Sequence, residues 1–454
     1  MTGTLPAEIG FLTSLTHISL FKNDITGEIP SSFAALSRLQ VFAAESNYLR
    51  GTLPDWLGDW KNLKYLALGD NYFHGSMPIG MSTMEELIEV SLFNNELTGS
   101  IDFFADLPNL HKLFVGDNPL GLTINDDFLM GSSIKELDLA NTTLQGTLPS
   151  HFFEANVLKV LDVHGNKLTG SLPSLSGTNT RLTFFSAYGN RLSGSIPSSI
   201  SNLEALVHLD LSDNELTGSI PAEITNLLEL TSLYLSFNEF EKGPVPSIWD
   251  IPYLEEVSLK STQLTGSIPT EIGEMVNITL LDLSRNDLTG KIPKTIGELV
   301  GLRFLLLNEN FLSGTITVGF ETLTNLGMCI LLLSMSRHLS TLIILPCCYP
   351  ELLLLEGNDL DGGAQHVCDY IEDSNNLIMS ADSPGEYNCS CCTLNCSVPG
   401  QFMPICYEDV DLLSTVDLYY ESTFSLSSAY ARDNFFFSEN IVFRAKRVAK
   451  EEDN

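Results

Sequence analysis

The chain has 454 residues, with 57 acidic against 23 basic side chains, so its formal charge is 23 − 57 = −34 and its sequence pI is near 4.3. A surface of that sign repels phosphate backbones and anionic lipid heads, which argues against nucleic-acid binding and electrostatic membrane docking. With 44% hydrophobic and only 18% charged residues, the composition is that of a folding chain rather than a disordered acidic one.

One pattern, L-x-x-L-x-x-L-x-L-x-x-N-x-L-x-G, runs through residues 1–326. Its asparagine place falls at Asn23, Asn47, Asn71, Asn95, Asn118, Thr142, Asn166, Asn190, Asn214, Asn238, Thr262, Asn286 and Asn310. The spacing is 24 throughout except for 118 − 95 = 23. Glycine follows four residues later in most copies, as at Gly27, Gly51, Gly194 and Gly290, and then a Leu/Ile/Met-Pro pair such as Leu53-Pro54 or Ile292-Pro293. The chain opens inside a copy: Met1 stands in a leucine place and Thr2-Gly3-Thr4-Leu5-Pro6 is a second half without a first. No polar cap and no charged-then-apolar leader precede it, so a truncated start is expected.

Leu216-Thr217-Gly218-Ser219-Ile220-Pro221 and Leu264-Thr265-Gly266-Ser267-Ile268-Pro269 resemble, letter for letter, the L-T-G-x-I-P signature of the plant-type leucine-rich repeat. The resemblance implies an α/β solenoid. Its form is a curved leucine-rich repeat superhelix with a parallel β-sheet on the concave face and short 3-10 or irregular segments on the convex face. The chemistry of the letters agrees. Leucines three and five places before the asparagine alternate inward on a short strand, and the side chains between them face outward. The asparagine amide serves backbone groups of neighbouring coils, so Thr142 and Thr262 are expected to weaken the ladder locally. Glycine permits the tight turn, and proline fixes φ where no donor is needed.

The outward places collect two groups. Phe93, Phe114, Phe184, Tyr188 and Tyr234 form an aromatic set. Asp138, Asp162 and Asp210 form an acidic set, with His164 and His208 beside it. Such a surface suits ligand recognition, the aromatics supplying contact area or sugar stacking and the carboxylates orientation. Asp-Leu-Ser is also a common filling of this strand in the family, so the aspartates equally suit a scaffold role. No nucleophile motif, phosphate loop or H-E-x-x-H accompanies them, and neither an enzyme, a cofactor nor a metal is expected.

Residues 327–350 interrupt the pattern. Read as a degenerate coil, the segment puts Ser334 in the ladder place. Read at the codon level, Gly327-Met328-Cys329 and Pro350-Glu351 are compatible with intron borders, and removing the 24 residues restores a spacing of 24 to Asn358. The leucine-rich run contains Arg337, His338, Pro346 and Pro350, which argues against a spanning helix. Residues 351–366 form the last repeat, 367–406 a cysteine-rich cap and 407–454 a poorly ordered tail.

No cysteine precedes Cys329, and six follow the insert: Cys368, Cys389, Cys391, Cys392, Cys396 and Cys406. An even six fits three bridges. Cys389-Ser-Cys-Cys-Thr-Leu-Asn-Cys396 resembles the segment that closes repeats in algal secreted or surface proteins. The adjacent pair Cys391-Cys392 argues against zinc. Sequons at Asn141 and Asn277 are the candidate glycosylation sites, those at Asn388 and Asn395 being entangled with cysteines. Cysteines and sequons together indicate an extracellular or cell-surface location.

By resemblance, plant-type repeats serve as receptor ectodomains and as inhibitors of wall-degrading enzymes. The reading is therefore a recognition protein for a protein, peptide or carbohydrate ligand. The alternatives are the ectodomain of a membrane-anchored receptor-like protein, with the anchor outside this chain, and a structural wall or matrix protein.

Overall fold

The computed structural model describes residues 1–154, 157–177 and 179–314, together with the strands Met328–Ile330, Leu352–Leu354, Asp359–Leu360 and Met379–Ser380. The six candidate disulfide cysteines, Asn388 and Asn395 lie outside the described residues, as does the 407–454 tail.

Each copy of the pattern contributes one short strand, and these stack in chain order into a parallel sheet of 16 strands. The strand occupies the places six to four before the ladder residue, for example Lys112–Phe114, Glu136–Asp138 and Val160–Asp162. Neighbours pair residue for residue one repeat apart, as in Leu113↔Leu137 and Leu209↔Leu233. The middle residue of each strand points inward, and Leu113, Leu137, Leu161, Leu209 and Leu233 are all buried. Phenylalanine takes that place at Phe42 and Phe185. Phe42 meets Trp60 edge-on at 5.2 Å, and the Trp60 indole N–H donates to the Phe33 carbonyl at 2.8 Å.

The Leu/Ile-Pro pairs end the extended part of each coil. Pro30, Pro54, Pro197, Pro221, Pro269 and Pro293 each cap a five-residue 3-10 turn from an extended backbone position. Pre-set φ and a missing donor suit a helix start. The only α-helix among the described residues is His151–Glu154.

The glycine four places after the ladder lies on or beside a second strand, such as Asp24–Gly27 or Asp287–Gly290. These strands form flank sheets of 5, 5 and 4 strands rather than one continuous sheet. The first break falls between Glu96–Thr98 and Thr123–Ile124, and the second between Glu215–Leu216 and Thr265–Ser267. Leu122 and Lys242 occupy the glycine place in the coils at those breaks.

The ladder operates as its chemistry requires. Asn95 Nδ2 donates to Leu68 O of the preceding coil and to Leu92 O and Phe93 O of its own, while its Oδ1 accepts from Phe73 N at 2.9 Å. The residue before it takes a left-handed backbone (Asn94, φ 49°), as do Ser46, Asp70 and Asp117 at the same place. Met328–Ile330 pairs with Phe304–Leu306 on one side and Leu352–Leu354 on the other.

Candidate functional site

The outward places of the long sheet line up across the rungs. Phe114, Asp138, Asp162, Ser186, Asp210, Tyr234, Ser258 and Asp282 are successive register partners. Phe184 and His208 are partners on the row two residues earlier, and their rings stack at 4.3 Å with planes 2° apart. His208 also meets Tyr234 at 5.5 Å, and the Tyr234 hydroxyl donates to Glu256. The His164 and Tyr188 rings are 6.2 Å apart.

Most of these side chains are buried. Asp138 and Asp162 are both 0% exposed, and Phe93, Phe114, Phe184, His164, His208 and Tyr234 all lie at 8% or less. Tyr188 and Asp210 are half-buried, and Asn141 is exposed at the edge of the same patch. Small residues on neighbouring rungs leave room for this packing. A Cβ at Gly69 would lie 2.3 Å from the Phe93 ring, and one at Gly116 would lie 2.7 Å from Asp138 Oδ1.

A hydrogen-bond chain crosses the acidic rungs. Asn141 Nδ2 donates to Asp117 Oδ1 at 2.8 Å and lies 3.4 Å from His164 Nε2. His164 Nδ1 is 2.7 Å from Asp162 Oδ1, which also accepts the His164 backbone amide. Asp138 Oδ1 accepts from Ala140 N at 2.9 Å, and Asp210 Oδ1 from Ser212 N at 2.9 Å. Oδ2 of Asp138 and Oδ2 of Asp162 are buried without a hydrogen-bond partner.

Burial dominates the proton affinities. Loss of water, reinforced by the Asp162 charge, pushes the Asp138 carboxyl up to about 8. Burial raises Asp210 to about 6 against the opposing bonds from Ser212. Burial would lower His164, but Asp162, Asp138 and Asp117 outweigh it and lift the imidazole to about 9. Burial drops His208 to about 4 despite the Asp162 charge.

A charged row that the sequence reading did not single out stands six places before the ladder, in line with Phe184 and His208. Lys112 there lies 3.9 Å from Glu89 and 3.3 Å from Glu136. Burial raises the Glu89 carboxyl, with Lys112 opposing. Glu45 reaches across two rungs to accept the Ser91 hydroxyl at 2.6 Å, and burial pushes it up to about 7. The two sequons differ. The Asn141 amide is engaged by Asp117 beside a fully buried Thr142, whereas the exposed Asn277 makes one bond, to Pro252 O at 2.9 Å. Among the described residues, no group of three or more His, Cys, Asp or Glu side chains is arranged to hold a metal ion.

Stacked parallel strands, an asparagine ladder and 3-10 turns on a 24-residue period define a leucine-rich repeat solenoid. The leucine-rich repeat family profile matches residues 14–36, 157–178, 181–203, 205–227 and 277–299 of the chain. Its repeats are of the kind found in plant receptor ectodomains. The fold is similar to that of the plant peptide hormone receptor RGFR1 in complex with RGF2, at 29% identity over 83% of this chain and 60% of that one, TM-score 0.72. It is also similar to PEPR1 with AtPEP1, at 25% identity over 84% and 56%, TM-score 0.69. A third likeness is to the Arabidopsis receptor kinase HAESA ectodomain with an N-terminally extended IDA peptide hormone, at 26% identity over 84% and 72%, TM-score 0.64. The chain thus spans 60% or less of the first two of these proteins. No curated protein matches it.

Proposed function

We propose that the chain is a non-enzymatic recognition protein of the cell surface or extracellular space that binds a peptide or protein segment along the outward face of its long sheet. The observation that carries this reading is the continuous strip from Phe114 to Tyr234, where the two aromatic rings bracket Asp138, Asp162, Ser186 and Asp210 on register-matched rungs. Aromatic rings held rigidly by their neighbours contribute contact area at little entropic cost, and the carboxylates select charge. The similar ectodomains above, two of them solved with peptide hormones, support a peptide over a carbohydrate.

Among the described residues no helix is long and apolar enough to cross a membrane. A receptor-like assignment therefore depends on an anchor outside them. Panning a displayed random-peptide library against the chain tests the reading. Tyr188→Ala and Asp210→Asn, both at half-buried positions, should each weaken capture of the selected peptides by about tenfold, the scale of one interface side chain. Unchanged capture in both would favour the structural wall or matrix role.

A further inference from the structure

We propose that the rungs carrying Asp138 and Asp162 form a seat for a guanidinium group, supplied by an arginine side chain of the bound peptide. The biological ligand rests on the peptide-binding reading above; the seat itself rests on geometry.

The two aspartates are Cα register partners on adjacent parallel strands, so their backbones stand about 4.8 Å apart. Each is fully buried, and each spends Oδ1 on a bond within its own rung. Each keeps Oδ2 buried and unbonded. A buried carboxylate oxygen without a donor is costly, and two side by side are a specific request for one donor that serves both. A planar guanidinium presents parallel N–H pairs at that scale, whereas an ammonium is a compact, strongly hydrated point.

The surroundings carry the matching sign. Four carboxyl side chains, Asp117, Asp138, Asp162 and Asp210, stand around the single imidazole of His164. Gly116 removes the side chain that would otherwise occupy the space beside Asp138. Both free oxygens are covered, so their cover must give way on binding, and association is slower than at an open site.

Proton balance gives the seat a signature. The unliganded Asp138 carboxyl is raised to about 8 beside Asp162, so at pH 7 it holds a proton. Arrival of a guanidinium cation favours the carboxylate, so that proton leaves: neutral Asp138 plus the cation gives the ion pair plus one proton released to solvent.

The test uses N-acetyl-arginine methylamide as probe, with its citrulline and lysine counterparts, in calorimetric titrations of the full chain at pH 7 in two buffers of different ionisation enthalpy. Expected are binding of the arginine probe with release of close to one proton, several-fold weaker binding of the lysine probe and none of citrulline. Asp138→Asn and Asp162→Asn should each lower arginine affinity at least tenfold, with circular dichroism confirming the fold, while Asp282→Asn, five rungs from Asp162, leaves it unchanged. Equal binding of citrulline, or affinity unaltered by both substitutions, would overturn the proposal. Should the arginine probe bind in this way while Tyr188→Ala captures peptides normally, the seat stands and the peptide reading falls. The converse pair of results removes the seat alone.

Discussion

Thr142 donates its backbone amide to Oδ1 of Asn166 in the next coil at 3.0 Å, and its hydroxyl lies 3.3 Å from the same oxygen. The threonine hydroxyl also reaches Leu139 O at 2.8 Å. Thr262 repeats the arrangement with Asn286 and Leu259 O. The ladder is therefore rerouted at these two coils, with the following asparagine taking extra load. Thr143 and Gln263, the next residues, adopt left-handed backbones at φ 57° and 61° that the asparagine coils do not need.

Asn166 accordingly carries more than a regular rung. It accepts from both Thr142 N and Leu144 N, whereas Asn214 accepts from Leu192 N. Each orphaned buried group costs about 1–3 kcal/mol. Asn166→Ala should lower stability by at least about 1 kcal/mol more than Asn214→Ala, measured by urea unfolding at constant slope. Equal losses would show that the threonine coils make no special demand.

Stability should fall as pH rises from about 5 to about 9. Asp138, Glu45 and Asp210 have folded pKa values raised to about 8, 7 and 6, so the native state holds protons that the unfolded chain has already lost. Their contribution is complete below their ordinary values and disappears as pH climbs through the raised ones. His164, raised to about 9, adds loss between 6.5 and 9. His208 acts in the opposite sense: lowered to about 4, it withdraws stability as pH drops from 6.5 towards 4. Thermal scans should give a higher midpoint at pH 5.5 than at pH 8.5, and Asp138→Asn should flatten the slope. A midpoint that rises with pH would contradict the buried cluster.

Glycines on the two faces should differ in sensitivity. At Gly58 a Cβ would lie 2.3 Å from the Gly80 carbonyl oxygen, which belongs to the backbone of the next coil, so two packed 3-10 turns would have to separate. At Gly69 the same distance is to the Phe93 ring, which can swing aside. Overpacking costs about 1–3 kcal/mol. Gly58→Ala belongs at the upper end and Gly69→Ala at the lower, a ranking that paired denaturation curves would check.

Deleting Gly327–Pro350 removes 24 residues, one full period. Phe304–Leu306 would then meet Leu352–Leu354 directly, in the register each now keeps with Met328–Ile330. The deletion variant should melt within a few degrees of the full chain. A large loss would show that the segment supplies a coil the solenoid depends on. Transcripts lacking the segment would further support the reading of 327–350 as an unremoved intron.

The repeat was legible because its causes are local and recur. An inward leucine, a turn glycine and a cap proline each act within a few residues, and most of the thirteen copies keep them in the same places. Even the breaks in the flank sheets were marked, by Leu122 and Lys242 in glycine places. The site was legible only in part. Asp138, Asp162 and His164 could be assigned to outward places, but not their burial. Lys112 between Glu89 and Glu136, and Glu45 bonded to Ser91, involve partners one or two rungs apart and became visible only through stacking.

The sequence by itself determined the period, the inward and outward places and the solenoid fold, since each follows from side-chain direction on a three-residue strand repeated every 24 residues. Only the tertiary structure decided which outward carboxylates lose their water, which of them find donors, and which are left with an unbonded oxygen. Those properties belong to neighbours 24 or 48 residues away in the chain, and desolvation has no periodic signature.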